Sequence, residues 1–343
     1  MIAREFVARR TSKLTDDRNK FSHRNAGLVL ALSGGGAAGI AHIGVLQVLE
    51  ENAIPVRAVA GTSIGAEIGA FFASGMAITE LADLATAFDW KQTLQLFMPD
   101  LPTGGLVSGR KIMDFLNSRL GTHRIEELAI GYAAIAADLE TGEQVVLDRD
   151  GLVDAVRASI SIPGLIAPHR LGNRLLVDGG VLNPVPFDVA RERFGGPVLA
   201  VAVHGAARRV ARRQLPPRSR QWPQHVRQLL RQPWMMRAKG LESWLEVQLE
   251  KYQKRSSAKS AWTARRVLDQ VMILTQAEIV RLRAATNPPD LMLLPAVGRI
   301  GRLEFYRGRE AIAAGRAAAR ERLAEILTLL AAAKSARNGA RQS

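Results

Sequence analysis

Apolar positions along the 343-residue chain follow two periodicities that take turns. Leu28 to Leu32 is a continuous apolar run closed by Ser33-Gly34-Gly35-Gly36, after which Ile40, Ile43, Leu46 and Leu49 recur at helical spacing. That order predicts a strand, a glycine loop and a helix. It repeats at once: Arg57 to Ala60 is β-like, Gly61 to Gly65 is a tight turn, and the Ala- and Gly-rich Ile64 to Ser74 suits a close-packed helix. Tyr132 to Asp138 and Gln144 to Leu147 flank the turn-like Glu140-Thr141-Gly142 and predict a hairpin. Leu175 to Asp178 and Val198 to Val203 read as two further buried strands, and Leu291 to Leu294 as a late strand returning to the sheet. Helices are expected near Leu241 to Tyr252, over Trp262 to Arg283, and as one closing segment from Glu310 to Lys334. Alternation of this kind predicts an α/β protein with a mostly parallel central sheet covered by helices on both faces.

The same pattern divides the chain into an N-terminal extension (1–25), a core (26–204), a basic helical insertion or lid (205–286), a strand and helix completing the core (287–334), and a frayed tail (335–343). Composition changes this picture in one place. The formal charge is +15, and residues 205–240 hold nine Arg and one Lys against no acid, which leaves +5 for the rest. Trp222, Trp234, Met235 and Met236 are interleaved with those cations. Such a mixture suits peripheral contact with an anionic membrane, and suits equally a solvated loop whose aromatics pack on the body. Nucleic-acid binding is disfavoured, because no nucleic-acid module accompanies the basic segment. The N-terminus lacks the apolar core of a secretory signal, and the apolar stretch Ile64 to Ile78 is interrupted by Glu67 and glycines. A cytoplasmic protein, peripheral at most on the inner face of the membrane, is expected. The absence of cysteine excludes disulfides, thiolate metal ligands and a Cys nucleophile.

Three short motifs carry candidate chemistry. Gly61-Thr62-Ser63-Ile64-Gly65 fits G-x-S-x-G, where small residues let the chain turn sharply from strand to helix and expose a serine oxygen. Taken alone it is also an ordinary strand-helix turn. Gly34-Gly35-Gly36-Ala37-Ala38-Gly39 opens the first helix, where backbone N–H groups can meet an anion. A nucleotide site would want a Walker Lys-Ser/Thr or an acid about 20 residues on, and an oxyanion hole fits better. The serine needs a base. Of six histidines, His204 and His225 stand in the right chain order, whereas His42 lies among apolar residues of the first helix. The other candidate is Asp178, released at a strand end into Gly179 and Gly180; by itself this is also a plain Asp-Gly turn.

Taken together, the glycine loop, the G-x-S-x-G turn and the D-G-G element, in that order, resemble the patatin-like phospholipases. Ala41-His42-Ile43-Gly44-Val45-Leu46, Ala158-Ser159-Ile160-Ser161-Ile162-Pro163-Gly164 and the continuation from Asp178 to Pro186 extend the match. It covers about residues 26–204, more faintly Asp290 through Gly308 to the last helix, and leaves the basic segment unexplained. The resemblance implies a three-layer α/β/α fold and a serine acyl hydrolase acting on a phospholipid or other lipid ester. It assigns Ser63 as nucleophile and Asp178 as base without histidine, Gly34, Gly35 and Gly36 as oxyanion donors, and Gly61, Gly65, Gly179 and Gly180 as turn residues. No metal or cofactor is implied. A catalytically weak protein of the same fold that binds anionic lipid or a partner is the alternative. One departure stands out: the family's loop commonly carries Arg or Lys where this chain has Ala38, a difference expected to bear on rate and substrate choice.

Overall fold

The computed structural model describes residues 27–87, 105–203, 264–298 and 300–342. The expected N-terminal extension, most of the expected insertion with its basic segment and the helix near 241–252, and His23, His204 and His225 lie outside the described residues. Two compact units divide the chain, residues 1–207 with 273–343, and residues 208–272. Of the second unit only 264–272, the opening of one helix, is described.

A hydrogen-bonded path of strands runs β10 (Leu291–Leu293), β9 (Val198–Val201), β1 (Leu28–Leu32), β2 (Val56–Thr62), β4 (Gly131–Asp138), β8 (Arg174–Asp178), β7 (His169–Leu171), with β5 (Gln144–Leu147) also on β4. From β10 to β4 every pairing is parallel. The β4–β5, β4–β8 and β7–β8 pairings are antiparallel. β3 (Gly105–Val107) and β6 (Gly164–Ile166) form a separate parallel pair.

Strand side chains alternate between sheet faces, so a sheet buried on both sides should divide each strand between two cores. β1 does so: Leu28, Leu30 and Leu32 belong to one core, Val29 and Ala31 to the other. β9 repeats the division, with Leu199 and Val201 against Val198 and Ala200. Helices α1 (Ala41–Glu51), α2 (Ile64–Ala73), α3 (Ile78–Ala87), α4 (Arg110–Leu120) and α5 (Leu152–Ser159) contribute to the first core. α6 (Phe187–Phe194) and Val280 of α7 (Ala264–Thr286) contribute to the second. The protein therefore has the expected three layers, α/β/α around a mostly parallel sheet.

The closing segment differs from expectation. It is two helices, α8 (Gly308–Glu321) and α9 (Leu323–Gln342), separated at Arg322, and the second is helical through the stretch expected to fray. α8 lies directly on α1, where a Cβ on Gly44 would meet Ile312 O at 2.0 Å and one on Gly315 would meet Ala41 O at 1.9 Å. Only glycine permits that approach, and it brings the C-terminal part of the chain up to the first glycine loop. Helices α3 to α6 were not anticipated from the sequence.

Candidate active site

Ser63 sits between β2 and α2 with φ 55° and ψ −126°, a strained conformation for a residue with a side chain. The flanking glycines hold that turn against its neighbours. A Cβ on Gly61 would fall 2.4 Å from Gly65 O, and one on Gly65 would fall 2.3 Å from Leu32 O at the end of β1. The Ser63 N–H donates to Ser159 Oγ at 2.9 Å, and that hydroxyl donates to Ile135 O at 2.6 Å. Thr62 is tied in the same way, its hydroxyl donating to Asn183 O at 2.8 Å.

The sheet register explains how Asp178 arrives at Ser63. β5 overlaps β2 on Ala134 and Ile135 of β4, and overlaps β8 on Ala136 and Ala137, so it must occupy the opposite edge from both. β2 and β8 therefore share one edge of β4, end to end. β2 runs parallel to β4 and finishes at Thr62 opposite Ile135; β8 runs antiparallel and finishes at Asp178 opposite Ala136. Two strands approaching head-on thus deliver their last residues to one point. The Ser63 hydroxyl is among the groups that favour the ionised Asp178 carboxylate there, and the two residues are only 6% and 7% exposed.

Burial pushes the Asp178 carboxyl up to about 6, opposed by the Ser63 hydroxyl, the Gly180 N–H (2.7 Å to Oδ1) and the positive charge of Arg302. At neutral pH it is ionised and basic enough to take a proton. Its backbone is secured from the turn after α5: the Asp178 N–H donates to Ser161 O at 2.9 Å. Buried Arg157 holds that segment, donating to Ser161 Oγ at 2.6 Å and to Ala167 O at 3.0 Å. Ser159, Ser161, Arg157 and Arg302 were not assigned roles from sequence. The first two stood inside a recognised motif, whereas the parts played by the arginines depend on where distant segments meet.

The glycine loop is narrower as a donor array than expected. The Gly34 N–H is taken by Pro184 O at 3.1 Å, and the Ala37 N–H by Arg302 O at 2.9 Å. Gly35 and Gly36 are left with N–H groups that make no hydrogen bond among the described residues, as does Ile64, the residue after Ser63. Gly36 has φ 59°, and a Cβ there would lie 2.4 Å from Arg302 O, so this position admits no side chain. Ala38 is fully buried. Arg302, from the segment before α8, brings a positive charge to bear on Asp178.

No described histidine joins this cluster. His42 is buried, with Nε2 2.8 Å from Ser33 O, and burial lowers its pKa to about 4, which keeps the ring neutral. His169 pairs with Asp154 at 2.9 Å, and His123 is exposed. Beside Ser63 opens an apolar cavity walled by Ile40, Ile43, Ile64, Ile68, Phe71, Leu81, Phe115 and Phe305, with one carboxyl, that of Glu67, among them. Among the described residues no helix is long and apolar enough to cross a membrane.

Residues 30–191 match the family model described as Patatin-like phospholipase. An uncharacterised NTE family protein of Mycobacterium tuberculosis (strain H37Rv) is 32% identical over 328 residues, spanning 86% of this chain and 91% of that protein. The chain belongs to the patatin-like phospholipase family. A further relative is the neuropathy target esterase sws of Drosophila melanogaster, 35% identical over 179 residues, which are 51% of this chain and 13% of that protein. Among solved structures, VipD from Legionella pneumophila aligns over 90% of this chain and 67% of its own with a TM-score of 0.43 at 14% identity. Family membership supports lipid hydrolysis in general terms.

Proposed function

We propose that this patatin-like protein is a serine acyl hydrolase that cleaves a lipid ester through Ser63 and Asp178. The observation that carries the reading is the convergence of Ser63 and a buried Asp178 at two strand ends that meet on β4, beside an apolar cavity. Ser63 Oγ attacks the ester carbonyl carbon while its proton passes to the Asp178 carboxylate. The carbonyl oxygen becomes an oxyanion, met by the N–H groups of Gly35, Gly36 and Ile64. Collapse breaks the bond to the leaving oxygen, which takes the proton from Asp178 and departs as the alcohol. Water then attacks the acyl-Ser63 ester, giving its proton to Asp178. The second collapse releases the carboxylic acid and returns the proton to Ser63. The acyl chain is held in the cavity, whose apolar walls favour a hydrocarbon.

A fluorophosphonate probe tests this directly. The wild-type protein is expected to be labelled on Ser63 and to hydrolyse p-nitrophenyl acyl esters, with both lost by several orders of magnitude in Ser63→Ala. Full hydrolysis by Ser63→Ala would overturn the assignment. An unlabelled wild type would leave the alternative function, a catalytically weak protein of this fold that binds anionic lipid or a partner.

A further inference from the structure

Glu67 lies one turn into α2 from Ser63, its N–H donating to Ser63 O at 3.0 Å, and both residues line the cavity. Among the described residues of that lining Glu67 is the sole acid. Its carboxyl accepts no hydrogen bond and forms no ion pair among the described residues. Nearby Tyr132 could have served as a donor, but its hydroxyl donates to Ala66 O at 2.8 Å instead. Burial raises the Glu67 carboxyl to about 7, as expected for an acid without compensation. A Leu at this position would have completed the apolar wall.

An unsubstituted acyl chain threaded past Glu67 would strip the carboxyl of water and offer it nothing in return, which is costly. A chain bearing a hydroxyl at that depth would supply the missing partner. A hydroxyl both donates and accepts, so it satisfies the carboxylate and the protonated acid alike. Depth follows from the backbone hydrogen bond to Ser63 O, which puts Glu67 a single helical turn, about 5.4 Å of rise, from the acylated residue. The carboxyl therefore belongs beside the first few carbons of an acyl group attached at Ser63. We propose that Glu67 is a selectivity residue that hydrogen-bonds a hydroxyl on the third carbon, so that the preferred substrates are esters of 3-hydroxyacyl chains. The inference rests on the reading of Ser63 as the acylated residue.

The test compares p-nitrophenyl octanoate with racemic p-nitrophenyl 3-hydroxyoctanoate on the full chain, as wild type, Glu67→Gln and Glu67→Leu. Wild type is expected to favour the hydroxylated ester in kcat/KM. Glu67→Gln, which keeps a donor and an acceptor, retains that preference. Glu67→Leu loses it by roughly tenfold, the size expected when a buried hydrogen-bonding group loses its partner, with the plain ester gaining. A wild type indifferent to the hydroxyl, or a Leu variant with an unchanged ratio, would overturn the proposal. Should the Leu variant not fold, the wild-type ratio decides alone. Failure of the underlying reading looks different, since Ser63→Ala would then hydrolyse both esters at the wild-type rate.

Discussion

The strand ends that meet at the candidate site are held by different physics. At the end of β2 the constraint is steric. Gly61 and Gly65 leave no room for a Cβ, and Ser63 is forced to φ 55° between two elements that cannot separate without opening the parallel core. At the end of β8 the constraint is polar. Asp178 is carried on the antiparallel side of the sheet and located by the Ser161 carbonyl, the Gly180 N–H and the charge of Arg302. Position at the first end is bound up with folding itself. At the second, the Asp178 carboxyl and the Arg302 charge can each be altered without touching the backbone that positions them, so chemistry and stability should separate there.

Asp178→Asn should give the largest effect and the cleanest separation. Under the proposed mechanism, loss of the base is expected to cost about 10³-fold in kcat, measured on a p-nitrophenyl ester. Stability should move the other way. A carboxyl whose folded pKa is raised contributes fully below its ordinary value near 3.8, and that contribution is lost as pH climbs through about 6. Above pH 7 the native state bears the whole penalty, up to about 3 kcal/mol for a shift of this size. The Asn variant should therefore melt higher than wild type at pH 7.5 and show no such gain at pH 3.5. A lower Tm at pH 7.5 would mean that the polar contacts of Asp178 outweigh its burial.

Gly65→Ala is the converse experiment. The variant keeps the Ser63 and Asp178 side chains but places a Cβ 2.3 Å from the Leu32 carbonyl, backbone that cannot swing aside. Overpacking of this kind typically costs about 1–3 kcal/mol. Activity and Tm should fall together, because displacing the turn moves Ser63 with it. Retained Tm with lost activity would show that the turn can yield without disturbing the core, and the steric account of the β2 end would fail.

This contrast also accounts for what could be read from sequence. The β2 end was legible because local sterics write themselves as glycines at fixed spacing, and β1 because both of its faces are apolar. Asp178 was legible only as an Asp-Gly turn until it was set beside the other motifs. What escaped was non-local. The shared edge of β4 is invisible in a linear pattern, since β2 and β8 lie more than a hundred residues apart. The glycine loop offered three possible donors in sequence terms, Gly34, Gly35 and Gly36, and only the fold shows the Gly34 N–H spent on Pro184 O. The α4 signal was present, Ile112, Leu116 and Leu120 recurring every fourth residue, but a run rich in charge obscured it. The break between α8 and α9 carries no proline or glycine, and Arg322 gives no hint of it.

Arg302 gives the smallest of these effects and the finest test of the polar account. Its carbonyl accepts the Ala37 N–H, which fixes the backbone of residue 302 against the glycine loop, while its side chain acts on Asp178. Gln276 links it further to the turn after Asp178, lying 3.4 Å from one guanidinium nitrogen and donating to Gly180 O at 3.1 Å. A cation near a carboxylate favours the ionised form, so removing it lets burial act with less opposition. In Arg302→Met the acid limb of the kcat/KM profile should move upward from about 6, by a fraction of a pH unit to one unit, with the rate on the alkaline plateau changed only a few-fold. Arg302→Lys, retaining the charge, should bring the limb back. A structural role confined to the Arg302 carbonyl predicts the reverse: neither substitution touches the backbone, and the limb would stay where it is.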